Sequence, residues 1–166
     1  MEAELEKLSA KVGAALQQAG LLLATAESCT GGWVAQVVTH TAGSSEWFDR
    51  GFITYSNDAK RTQLGVGART LVHYGAVSAE TAVEMAAGAL EKSKASISLA
   101  ITGIAGPTGG SPDKPVGTVC FAWCQHDQDA VTRTRHFSGD RETIRRQSVV
   151  FALEELLDLV GARTVP

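Results

Sequence analysis

Hydroxyl groups, one lysine and flexible glycine loops are concentrated in four stretches of this chain: residues 26–32 (AESCTGG), 43–45 (GSS), 55–60 (YSNDAK) and 102–107 (TGIAGP). Each lies at the end of an apolar segment. The combination points to hydrolysis by a serine nucleophile beside an anion-binding loop. A serine hydroxyl is inert at neutral pH until a neighbouring group takes its proton. No His–Asp pair lies near these serines, so Lys60 or Tyr55 is the first candidate for the base. A predicted strand separates Ser45 from Tyr55, and a short turn carries the chain on to Lys60, so the three residues could meet at one end of a sheet. A partly desolvated lysine beside a hydroxyl has a lowered pKa and can act as a base. Taken alone, Lys60 is better read as a surface lysine on a short helix, as most lysines are, and Tyr55 as a half-buried strand tyrosine.

Three further features complete the candidate site. The loop at 27–32 follows a predicted strand and opens a helix, so its backbone N–H groups and the helix dipole favour an anion there. Ser28 and Thr30 add hydroxyl donors, and Gly31 allows close approach. Thr102 ends a buried strand and points toward the expected crevice, where Gly103 and Gly106 let the backbone approach a ligand. Arg141 follows Gly139-Asp140 at a helix start, and its guanidinium fork suits a phosphate or carboxylate. The 27–32 loop lacks the G-x-x-x-x-G-K-[ST] pattern of nucleotide triphosphatases and the G-x-G-x-x-G pattern of dinucleotide sites. The Tyr55–Lys60 spacing is one residue longer than that of a Tyr–Lys reductase pair, and the reductases' cofactor loop is missing.

The elements that must position these residues follow from periodicity. Leu5, Leu8, Val12 and Leu16 predict an amphipathic helix over 2–19, closed by Gly20. A buried strand is predicted over 21–25, a helix over 33–39, a loop over 43–49 and a strand over 52–55. Asn57 is expected to cap a short helix carrying Lys60. Ser78 caps a helix to about residue 93, with Val83, Ala86, Ala87 and Leu90 on its inner face. A buried strand follows over 97–101. The segment 103–115 has four glycines and three prolines and reads as a loop. Strands over 117–124 and 131–137 form a hairpin, and a final helix runs to about residue 159, leaving the last six residues as a tail. Interleaved helices and strands predict a three-layer α/β/α sandwich with a mixed, mostly parallel sheet, its ligand beyond the strand ends.

Composition narrows the function classes. The chain has 166 residues, 44% hydrophobic and 20% charged, the profile of one globular domain with a sizeable core. A net charge of −3 gives no basic field for nucleic acid, although Arg141, Arg145 and Arg146 form a local basic cluster. The sequence shows no secretory signal and no run long enough to span a membrane, so a cytoplasmic chain is expected. Three cysteines, Cys29, Cys120 and Cys124, form no disulfide framework, and His126 is too little to complete a metal site around them. No metal or cofactor is therefore expected.

Seven motifs occur in one order along the chain: AESCTGG at 26–32, GSS at 43–45, YSNDAK at 55–60, GAVS at 75–78, TGIAGPTGG at 102–110, KPVGTV at 114–119 and GDR at 139–141. Together they resemble the CinA C-terminal domain family, whose stand-alone members include nicotinamide-nucleotide amidohydrolases. The resemblance covers nearly the whole chain. It implies a three-layer α/β/α domain over 1–166 that hydrolyses the carboxamide of nicotinamide mononucleotide to nicotinate mononucleotide and ammonia. It also implies metal-free catalysis, a place in bacterial pyridine-nucleotide salvage, and a small-molecule substrate rather than nucleic acid or membrane. A homodimer is expected by analogy with other small α/β enzymes. The family's proposed nucleophile falls on Ser45, its assisting residues on Lys60 and Tyr55, and its other site residues on Ser28, Thr102 and Arg141. Ser28 competes with Ser45 for the nucleophile's role. Many members carry a second, larger N-terminal domain, and this chain looks like the short form. A non-catalytic nucleotide-binding or competence-associated module is the alternative.

Overall fold

The computed structural model describes residues 1–164, with side chains through residue 161. Its order is α1 (Ala3–Ala19), β1 (Leu23–Glu27), α2 (Trp33–His40), a 3-10 turn (Ser44–Glu46), β2 (Phe48–Ile53), α3 (Asn57–Leu64), α4 (Ala68–Tyr74), α5 (Ala79–Glu91), β3 (Ile97–Gly103), β4 (Thr118–Gln125), β5 (Val131–His136) and α6 (Arg141–Thr164). The five strands lie in the order β2-β1-β3-β4-β5. β1 pairs with β2 and β3 in parallel, whereas β3–β4 and β4–β5 are antiparallel. Four strands therefore share one direction and β4 opposes them, the mixed, mostly parallel sheet that the sequence predicts.

Strand alternation sorts the side chains onto two unequal faces. Leu23, Leu99, Ile101, Phe121 and Trp123 face one way and pack with α1, α2 and α6. The intervening Ala24, Ala26, Ala100, Cys120 and Ala122 face the other way, beneath α5. Small residues there let α5 approach closely, and Ser98 Oγ donates to the Ala86 carbonyl at 2.6 Å. The buried face of α5 is Ala82, Met85, Ala86, Ala89 and Leu90. Ala86 and Leu90 face inward as expected, but Val83 is half-buried and Ala87 exposed, because the alanine-rich run leaves the helical phase undetermined. On its outer side α5 meets α3 at Gly88, where an added Cβ would lie 1.9 Å from the Leu64 carbonyl oxygen. Gly88→Ala is therefore expected to destabilise the fold by about 1–3 kcal/mol, lowering the thermal midpoint by roughly 3–10 °C. An unchanged midpoint in thermal unfolding would contradict this packing.

Several elements differ from expectation. β1 runs two residues further than expected and ends on a buried glutamate, Glu27. β2 begins at Phe48 rather than residue 52, because an edge strand tolerates the polar Asp49-Arg50-Gly51; the Asp49 carboxylate accepts from Arg50 and from the Lys94 amide. α4 escapes prediction because its only buried residue is Leu71, which leaves no amphipathic period. α6 continues through Thr164, five residues past its expected end, so 161–164 are helical; residues 165–166 of the expected tail lie outside the described residues. Ser56, not Asn57, caps α3, its hydroxyl accepting from the Ala59 amide at 3.0 Å.

Candidate active site

The chain leaves β1 for β2 on one side and returns to β3 on the other, so a crevice opens beyond the carboxyl ends of β1 and β3. Ser28 stands immediately after β1, held by its amide's bond to the Ile101 carbonyl at 2.9 Å. Thr54 continues β2 past its last residue, its amide donating to the Glu27 carbonyl at 2.9 Å. α3 presents Lys60 and Leu64, one turn apart, to the interior. Lys60 is 1% exposed, and its Nζ donates to Ser28 Oγ at 2.9 Å and to the Thr54 carbonyl at 2.8 Å. No carboxylate pairs with it among the described residues. Burial pulls the Lys60 ammonium below the ordinary lysine value. A lysine made easier to deprotonate, within hydrogen-bond reach of a serine hydroxyl, has the geometry that a nucleophile and its base require. The neighbouring Cys29 is no rival nucleophile, since burial pushes its thiol up to about 12.

Below this pair, Glu27 holds the loop in place. Its carboxylate accepts from Thr30 Oγ1 at 2.7 Å, the Val34 amide at 2.9 Å and the Ala35 amide at 3.1 Å. Burial raises its pKa, and these donors pull against that rise. The anion at the N-terminus of α2 is thus supplied by the chain itself. On the outer side, Arg145 of α6 donates from Nε to the Cys29 carbonyl at 2.9 Å and from Nη2 to the Thr30 carbonyl at 3.2 Å. Its guanidinium lies 5.5 Å from the centre of the Trp33 ring.

The cleft above Ser28 and Lys60 has a volume of about 250 Å³, and Tyr55, Asn57, Thr102 and the 103–109 loop also line it. Arg141 spans its mouth, donating to the Gly106 carbonyl at 2.7 Å and to the Tyr55 hydroxyl at 2.8 Å. Gly106 adopts φ +77°, where an added Cβ would meet Val116 at 2.5 Å, so this bend requires glycine. Asp140 caps α6 through the Thr143 amide at 2.9 Å, which sets Arg141 at the start of the helix. A second, polar cleft of about 520 Å³ adjoins the first at Arg141, floored by Gly31, Gly32 and Trp33.

Several expectations change in this light. Ser45 lies in the exposed 3-10 turn before β2, whereas Lys60 follows the other end of that strand. Six strand residues put roughly 20 Å between the two ends, so within one chain Lys60 meets Ser28, not Ser45. Tyr55 reaches the cleft but is 61% exposed and hydrogen-bonds Arg141 rather than Lys60. The Thr30 hydroxyl is committed to Glu27, as are the Val34 and Ala35 amides at the start of α2. Gly31 lines the adjoining cleft. Thr102 and Gly103 line the main one, although the Thr102 hydroxyl donates to the Ala76 carbonyl at 2.8 Å and so anchors a wall. The predicted basic cluster separates by role, since Arg146 pairs with Glu2 and Glu4 away from the cleft. The sequence assigned no site role to Glu27, Asn57 or Arg145, although Arg145 stood in the basic cluster; its i, i+4 spacing from Arg141 was the available signal.

A mixed α/β sandwich with its crevice at the topological switch point defines the fold class, and comparison with known proteins agrees with that fold. The chain belongs to the CinA C-terminal domain family, whose family model matches residues 5–160. It is 54% identical over 155 residues to the nicotinamide-nucleotide amidohydrolase PncC of Escherichia coli (strain K12), covering 93% of this chain and 94% of that one. It is 46% identical over 152 residues to the protein of the same name from Pseudomonas putida, covering 92% and 94%. Among solved structures, the competence/damage inducible protein CihA from Agrobacterium tumefaciens superposes with a TM-score of 0.91 at 46% identity, covering 96% of this chain and 97% of that one. Among the described residues, no helix is long and apolar enough to cross a membrane.

Proposed function

We propose that this chain is an amidohydrolase that converts the carboxamide of nicotinamide mononucleotide to the carboxylate, releasing ammonia, with Ser28 as nucleophile and Lys60 as base. The 2.9 Å contact between a buried lysine and a serine at the crevice carries the mechanism. The activity rests on the names of relatives that align over almost their whole length.

Lys60, neutral in its reactive form, takes the proton of Ser28 as Oγ attacks the amide carbon. The tetrahedral oxyanion is met by the amides of Cys29 and Thr30, the two N–H groups after the nucleophile, neither of which donates to a backbone carbonyl among the described residues. Such donors are worth about 3 kcal/mol each. The Lys60 ammonium then protonates the leaving nitrogen, ammonia departs, and an ester to Ser28 remains. Water attacks that ester, Lys60 accepts the water's proton, and Ser28 leaves with it, freeing the carboxylate. Tyr55 and Arg141 frame the mouth. Arg141 also faces the adjoining cleft, where its remaining N–H groups meet the substrate phosphate, and the Asn57 amide is available to the ring or ribose.

Arg141→Ala is accordingly expected to raise KM for nicotinamide mononucleotide by about tenfold or more, with a smaller effect on kcat. Steady-state ammonia release checks this, and an unchanged KM would move the phosphate elsewhere. The activity itself is tested by ammonia release from nicotinamide mononucleotide, nicotinamide riboside and nicotinamide. Release from the mononucleotide alone supports the reading. Absence of release from all three by folded protein favours a binding module.

A further inference from the structure

The three peptide units after Ser28 have every carbonyl pinned. The Ser28 carbonyl accepts from the Gly31 amide at 3.0 Å, and the Cys29 and Thr30 carbonyls both accept from Arg145, 2.9 Å and 3.2 Å away. In a trans peptide the C=O and N–H point in opposite directions. Fixing the Ser28 and Cys29 carbonyls therefore fixes where the Cys29 and Thr30 N–H groups point, and neither amide donates to a backbone carbonyl among the described residues. Arg145 reaches this loop from α6, 115 or 116 residues away in sequence. The surrounding packing holds its guanidinium in position against Trp33. A cation on a carbonyl also polarises its peptide unit, which strengthens the N–H on the other side. The charge serves no ion pair, since Arg145 meets no carboxylate among the described residues.

We infer that Arg145 is a positioning residue for the oxyanion site: it aligns and polarises the Cys29–Thr30 peptide so that two amides converge where negative charge develops at Ser28. This rests on the reading of Ser28 as a nucleophile and adds to it a requirement for a cation that never touches the substrate. Arginine suits the task because one rigid fork spans both carbonyls, whereas a lysine ammonium is a single point charge.

The test compares wild type with Arg145→Met and Arg145→Lys, using nicotinamide mononucleotide and, in parallel, p-nitrophenyl acetate as an activated ester. Misalignment of oxyanion donors is expected to lower kcat for the amide by about 10- to 100-fold with KM within about threefold. Arg145→Lys should recover part of that loss, and methylguanidinium added to Arg145→Met should recover more. An aldehyde analogue of the substrate, which forms a tetrahedral adduct, should lose affinity in parallel with kcat/KM, while product affinity stays constant. Thermal midpoints of the variants separate this from unfolding. A kcat unchanged in Arg145→Met, or a loss shared equally by product and aldehyde binding, overturns the inference. If wild type cleaves the ester but not the mononucleotide, the substrate reading fails and the inference is read on the ester. Absence of both activities in wild type overturns both.

Discussion

Ser28→Ala is expected to abolish ammonia release from nicotinamide mononucleotide, lowering kcat by about 10³-fold or more while substrate still binds. Alanine removes the attacking oxygen and, with it, one of the two acceptors of Lys60 Nζ, while the bond of the residue-28 amide to the Ile101 carbonyl still holds the loop. Ser45→Ala provides the contrast. That residue is exposed in the 3-10 turn at the far end of β2, so the variant should keep activity within about twofold, the size expected of a surface change away from the site. Steady-state assays with a binding measurement on each variant decide the matter. Loss of turnover in Ser45→Ala with retention in Ser28→Ala would reverse the assignment.

Lys60→Met should be as damaging to turnover, and its effect on stability distinguishes a base from a structural lysine. Burial lowers the Lys60 pKa in the folded chain, whereas the unfolded chain titrates near the ordinary value of about 10.4. Between those two values the unfolded state binds more protons than the folded state, so wild-type stability rises with pH across that window. Below the folded pKa both states are protonated and the cost of burying the ammonium is fully present. The methionine variant lacks this dependence. Its stability relative to wild type is therefore expected to be most favourable at neutral pH and to decline as pH rises toward 10, as followed by denaturant unfolding. The wild-type profile of kcat/KM should show an acid limb with its midpoint below the ordinary lysine value, because only neutral Lys60 takes the Ser28 proton. Parallel stability curves and a flat acid side would contradict a lowered Lys60 pKa.

The sequence was most legible where one physical signal dominated. The apolar spacing of α1 with Gly20 in the left-handed conformation, the Ser78 cap of α5 and the buried run of β3 all stand where expected. The site's location also followed, because glycine-rich loops after parallel strands gather at one edge of a sheet. Pairing within the site did not. Choosing Ser28 over Ser45 requires knowing which end of β2 each residue flanks, and the unrecognised start of β2 among polar edge residues concealed that. The role of Thr30 was hidden because Glu27, a charged residue, is buried at a strand end to cap α2. Arg145 could not be read from its neighbours, since its partners Cys29 and Thr30 lie more than a hundred residues earlier.

The most direct measurement is the location of the acyl group. The p-nitrophenyl ester of nicotinate mononucleotide should acylate the enzyme faster than water releases it, giving a burst of p-nitrophenol equal to the enzyme concentration. Acid quench and peptide mass mapping should then place the adduct on Ser28, with neither burst nor adduct in Ser28→Ala. An adduct on Ser45, or steady turnover of the ester with no burst and no covalent species, would contradict the account.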